Sequence, residues 1–161
     1  GELAGDVIVA GTVDEEYASI GTAALVQQRG ADGAVVLEPT EAVVIARHRG
    51  FAVLDVQVTG RSAHTSRPER GVNAVHAAMR VVDALRALDE SWVGGVDPVE
   101  RSAVLVSGVR SEGETFTVPA TCHLTVEVRT TAGSPSAQVG EVMRVIAGAA
   151  GDADVLSLIH I

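Results

Sequence analysis

The hydrophobic pattern changes character at Gly50, and that change restricts the possible folds more than any other feature of the chain. Before Gly50, the runs Val7-Ile8-Val9-Ala10 and Ala34-Val35-Val36-Leu37 are continuously apolar. Short runs apolar on both faces read as buried strands of a parallel sheet. Between them, Tyr17 to Arg29 carries Ile20, Ala24 and Gln27-Gln28 at helical spacing, with Gly30 as a stop. After Gly50 the period becomes two. Ala52, Leu54, Val56 and Val58 are apolar while Asp55, Gln57 and Thr59 between and after them are polar, and Cys122, Leu124, Val126 and Val128 alternate with His123, Thr125, Glu127 and Arg129. Such strands bury one face and wet the other, as in antiparallel sheets.

The remaining elements follow from the same reasoning. Val72 to Leu88 predicts an amphipathic helix with Val72, Val75, Met79, Val82, Leu85 and Leu88 on its buried stripe. Ala103 to Val109 predicts a strand, Ser136 to Ala149 a second helix, and the tail from Asp154 a last strand. The order after Gly50 is then β-α-β-β-α-β, the ferredoxin-like α+β arrangement. The expected organisation is the C-terminal piece of a parallel α/β domain over residues 1–48, followed by a small α+β domain over residues 49–161. That arrangement serves many unrelated functions and implies none by itself.

Composition excludes several classes. Net charge is −9, aromatic residues are 2% of the chain, and no run of 18 apolar residues occurs. A polyanionic partner, base-stacking platforms and a spanning helix are therefore not expected, so nucleic acid and membrane are excluded as partners. The single Cys122 excludes an intrachain disulfide and a cysteine-rich zinc site. No phosphate loop, Gly-x-Gly-x-x-Gly or nucleophile elbow is present. The acidic charge is concentrated: residues 1–48 hold 8 acids and 2 bases, a balance of −6.

Asp14-Glu15-Glu16 follows the first apolar run, and Glu38-Pro39-Thr40 follows the second. If both runs are parallel strands, these carboxylates leave at the carboxyl edge of the sheet, where open α/β sheets place ligands. Converging carboxylates favour a divalent cation. An ordinary alternative stands beside this: Asp14 suits a helix N-cap, and Glu15 and Glu16 suit the positive end of a helix dipole. The loop from Gly60 to Ala74 holds His64, which is either a solvated polar side chain or a donor and titrating group. His48, His76, His123 and His160 show no pairing at metal-ligand spacing.

Taken in order, Asp14-Glu15-Glu16, Leu37-Glu38-Pro39-Thr40, and Gly60-x-x-Ala63-His64-x-x-x-Pro68-x-x-Gly71-x-Asn73-Ala74 resemble the M20 metallopeptidase family. That family includes acetylornithine deacetylase, succinyl-diaminopimelate desuccinylase, aminoacylase and carboxypeptidase G. The stretch Pro119-Ala120-x-Cys122-x-Leu124-x-Val126-Glu127-x-Arg129-Thr130 is similar to its deacetylase-like branch. The resemblance implies a di-zinc amidohydrolase acting on N-acyl amino acids, with cobalt or manganese as other metals its ligands accept. It implies Glu15 as general base, Glu16 and Glu38 as ligands of the two metal ions, and His64 as a substrate-facing donor from a lid and dimerisation domain. Arg129 is a further substrate-binding candidate. It also implies a homodimer formed through the lid, a small N-acyl amino acid or peptide as substrate, and a cytoplasmic location. Metallocarboxypeptidase or dipeptidase activity, or a non-catalytic dimerisation or ligand-binding role, are the alternatives.

The departures from the family pattern are also informative. The family's upstream His-x-Asp motif, the bridging Asp and the late ligand His are not in this chain, and Phe116-Thr117-Val118-Pro119 stands where many members have Asn-Val-Ile-Pro. The expectation is an internal fragment, inactive by itself, in which residues 156–161 are not native sequence.

Overall fold

The computed structural model describes residues 4–16, 18–92, 100–131 and 135–160. Two compact units divide the chain, residues 1–44 and 45–161. Among the described residues no helix is long and apolar enough to cross a membrane.

In the first unit the described regular structure is one helix, α1 (Ile20–Gln28), shorter than the expected Tyr17–Arg29. Tyr17 lies outside the described residues. The two expected strands are not formed among the described residues: residues 7–10 and 34–37 carry no regular structure, and Val9, Val35 and Leu37 are 92%, 86% and 92% exposed. The structure of this chain does not show the expected parallel sheet over residues 1–48. A strand apolar on both faces is stable only between hydrogen-bonding neighbours and under a covering layer. Here the helix buries none of its residues and supplies no such layer.

The second unit follows the period-two reading closely. Its elements are β1 (Gly50–Thr59), a 3₁₀ turn (Pro68–Arg70), α2 (Ala74–Ser91), β2 (Ala103–Arg110), β3 (Thr121–Thr130), α3 (Pro135–Ala149) and β4 (Asp154–His160). The sheet order is β2-β3-β1-β4, antiparallel throughout. This is the expected β-α-β-β-α-β arrangement. The last strand includes residues 156–160, paired to β1.

Alternation decides the core. Ala52, Leu54, Val56 and Val58 of β1 and Cys122, Leu124, Val126 and Val128 of β3 are fully buried under the two helices. Each fully buried Val or Leu contributes about 1.5–3 kcal/mol relative to exposure. The buried stripe of α2 differs from the expected one. It runs Ala74, Ala77, Ala78, Val81, Leu85, Leu88, while Met79 is 39% exposed and Val75 and Val82 flank the core. Alanine lets the helix backbone approach the sheet closely, so the contact line falls on the small residues.

Candidate functional site

The loop between β1 and α2 is the best-ordered candidate site, because backbone hydrogen bonds fix it at both ends and in the middle. Gly60 N–H donates to Ala120 O at 2.8 Å. Arg61 and Val72 form a reciprocal pair at 2.9 and 2.8 Å, and the Arg61 guanidinium donates to Arg70 O at 2.8 Å. Val118 N–H reaches Ala63 O, Thr65 N–H reaches Phe116 O, and Ala74 N–H reaches Pro119 O, all at 2.8–2.9 Å. The side chain of Asn73 then caps α2, accepting from Val75 and His76 N–H at 2.9 and 3.1 Å. The motif residues Gly60, Gly71 and Asn73 are thus explained as backbone devices that hold His64 in place.

A side chain has no room at Gly60 and would be tight at Gly71. A Cβ on Gly60 would lie 2.0 Å from Val72 O, and one on Gly71 would lie 3.0 Å from both Arg61 O and Val118 Cγ1. Phe116, whose carbonyl receives Thr65, has φ +66° and is 68% exposed. Left-handed backbone at a bulky residue is an outlier. Sequence inspection does not reveal it, because nothing in the residue type signals the conformation.

His64 itself is exposed. Its Nδ1 lies 2.9 Å from Ser66 Oγ and accepts the Ser66 backbone N–H at 3.1 Å. His64 also bridges to Thr117. Ser66 is the hydrogen-bonding neighbour of His64, and the sequence analysis does not single it out. The two-residue spacing was the available signal.

Arg129 lies elsewhere. It pairs with Phe51, eight positions along the ladder from the Thr59–Thr121 pair at which the His64 loop leaves β1. At about 3.4 Å per residue, that is about 27 Å. Its guanidinium sits 5.4 Å over the Phe51 ring and 3.9 Å from the Glu127 carboxylate. The structure does not bring Arg129 to His64.

In the first unit, Glu15 and Glu16 occupy a turn ahead of α1, closed by Ser19 N–H donating to Asp14 O and Ser19 Oγ donating to Glu15 O. Asp14 is not the helix cap; Ser19 holds that position, with no side-chain capping bond. Glu38 is exposed ahead of Pro39. Among the described residues no three His, Cys, Asp or Glu side chains gather as a metal ion requires.

Comparison with known proteins places the second unit. The profile of the peptidase dimerisation domain matches residues 46–155. The acetylornithine deacetylase of Myxococcus xanthus is 28% identical over 152 residues, covering 90% of this chain and 40% of that protein. A probable carboxypeptidase of Emericella nidulans is 30% identical over 120 residues, covering 71% of this chain and 28% of that protein. Among solved structures, the aminobenzoyl-glutamate utilization protein of Klebsiella pneumoniae superposes with a TM-score of 0.58 at 28% identity, over 70% of this chain and 28% of that one. A Staphylococcus aureus tripeptidase shares the fold, with a TM-score of 0.56 at 18% identity over 70% of this chain and 29% of that one. The chain spans 40% or less of the length of each of these relatives.

Proposed function

The chain belongs to the M20 peptidase family, whose dimerisation domain it carries over residues 46–155, and from that premise we propose that it serves an amide hydrolase of N-acyl amino acids. The supporting observation is the loop that presents His64: an exposed imidazole on a backbone fixed by hydrogen bonds on both sides. In this reading His64 donates a hydrogen bond to the carbonyl oxygen of the scissile amide as charge develops there. Glu15 takes a proton from the attacking water and passes it to the departing amine nitrogen, so that a carbon–oxygen bond forms as the carbon–nitrogen bond breaks. Glu16 and Glu38 are the proposed carboxylate ligands of two zinc ions, with cobalt or manganese as rivals. Such ions would supply Lewis acidity at the carbonyl. Two carboxylates do not complete a coordination sphere.

Homodimerisation through the second unit is part of the same reading. A carboxypeptidase or dipeptidase specificity is the second reading, favoured by the Emericella nidulans relative. The test is hydrolysis of N-acetyl amino acids and of dipeptides by the product of the gene that carries this sequence. Loss of one oxyanion donor costs about 10²–10³-fold in kcat, so His64→Ala should fall by that factor with folding intact. Glu15→Ala should lose nearly all turnover. Unchanged kcat in His64→Ala removes His64 from the site, and faster dipeptide cleavage selects the second reading.

A further inference from the structure

We propose that Ser66 is a positioning residue that locks His64 in the Nε2–H tautomer, so that the ring offers the substrate carbonyl an N–H donor and not a lone pair. The inference rests on the functional reading above for its consequence, but on geometry alone for the lock. The Ser66 backbone N–H points at Nδ1 at 3.1 Å. A backbone N–H only donates, so by itself it favours Nδ1 as the accepting nitrogen, and the hydroxyl completes the lock. The Ser66 hydroxyl lies 2.9 Å from the same atom. It can rotate to accept or donate, but with the neighbouring N–H already aimed at the Nδ1 lone pair, it also donates. In the neutral imidazole the proton then sits on Nε2.

The lock holds because the loop cannot shift without losing other bonds. Thr65, between the two partners, is tied through its N–H to Phe116 O at 2.9 Å, and Arg67 N–H closes the turn onto His64 O at 2.9 Å. Ala63 O, on the other side of His64, accepts from Val118 N–H at 2.8 Å. Moving Ser66 away from the ring would strain a segment fixed at 63, 64 and 65. The arrangement is the reverse of a triad, in which a carboxylate accepts from Nδ1–H and leaves Nε2 as the base. Here donors aimed at Nδ1 leave the proton on Nε2.

The test reads the ring directly. In the ¹⁵N-labelled chain, a long-range proton–nitrogen correlation at a pH where His64 is neutral should show one tautomer, with Nε2 protonated and Nδ1 bare. Ser66→Ala keeps the backbone N–H and removes the hydroxyl; its ring nitrogens should move toward the averaged values of a tautomer mixture, and Ser66→Thr should restore them. Ser66 is exposed, so all three proteins should unfold at the same midpoint. In the active gene product, Ser66→Ala should lower kcat about tenfold, in the range seen when a group orienting a functional histidine is removed, with KM little changed and threonine restoring it. A wild-type ring in the Nδ1–H form, an alanine variant with an unaltered ring spectrum, or an altered ring with unaltered kcat in an enzyme that His64→Ala inactivates overturns the proposal. If the ring behaves as stated but His64→Ala retains full turnover, the lock stands and the functional reading fails.

Discussion

Replacing Gly60 with alanine should be among the most damaging single-methyl changes available to this chain. The glycine is not there for a left-handed backbone; it is there because the chain crosses itself. An added Cβ would lie 2.0 Å from the Val72 carbonyl oxygen, 2.9 Å from its carbon and 3.2 Å from Ala74 N, all backbone atoms that cannot rotate aside. The oxygen must move away, and it is half of the reciprocal pair between Arg61 and Val72 at 2.9 and 2.8 Å. Losing two hydrogen bonds of about 0.5–1.5 kcal/mol each costs about 1–3 kcal/mol. Overpacking adds about 1–3 kcal/mol. The sum, about 2–6 kcal/mol, is a large part of the about 5–15 kcal/mol available to a domain. Urea unfolding should show it as a lower midpoint at unchanged slope. Gly140 is the matched control. It lies inside α3 with nothing within 4 Å of its Cβ position, so Gly140→Ala should add about 0.5–1 kcal/mol. A Gly60→Ala protein within about 0.5 kcal/mol of wild type would refute the reasoning.

Phe116 gives a change in the opposite direction. Its φ of +66° costs on the order of 1–3 kcal/mol for a non-glycine residue, and asparagine visits this region with less penalty, so Phe116→Asn should raise stability by about 1 kcal/mol in the same urea assay. An equal or lower midpoint would mean that the 68% exposed ring stabilises the loop by contact. Cys122 gives a pH dependence. Burial raises its thiol above the ordinary 9.0, so the fold favours the neutral thiol. The associated stability is complete below pH 9.0 and is lost as pH rises through the higher folded value. Cys122→Ala should therefore show a shallower fall of unfolding free energy above that pH than wild type, measured by denaturant titrations at several alkaline pH values. Parallel slopes would refute it.

What could be read from the chain, and what could not, follows from where each residue's partner lies. The alternation of Ala52, Leu54, Val56 and Val58 was legible because a sheet with one covered face makes exposure a function of parity alone, and the register pairs them with Val128, Val126, Leu124 and Cys122. The stripe of α2 was less legible, because hydrophobicity favoured valine and methionine while the helix–sheet distance is set by volume; Ala74, Ala77 and Ala78 took the contact. The runs at 7–10 and 34–37 form no strand among the described residues, because a strand is a property of a pair and apolarity alone does not supply the neighbour. The same distinction divides the site. His64 and Ser66 are two residues apart, so their bond was available to a local reading that asked what orients the ring as well as what reacts. The need for glycine at position 60 arises from Val72, twelve residues on, and the strain at Phe116 from a carbonyl held by Thr65, fifty-one residues earlier. The glycines and the asparagine of the loop motif carry no chemistry themselves. They bring a short segment back on itself, so that backbone hydrogen bonds hold the chain on both sides of His64.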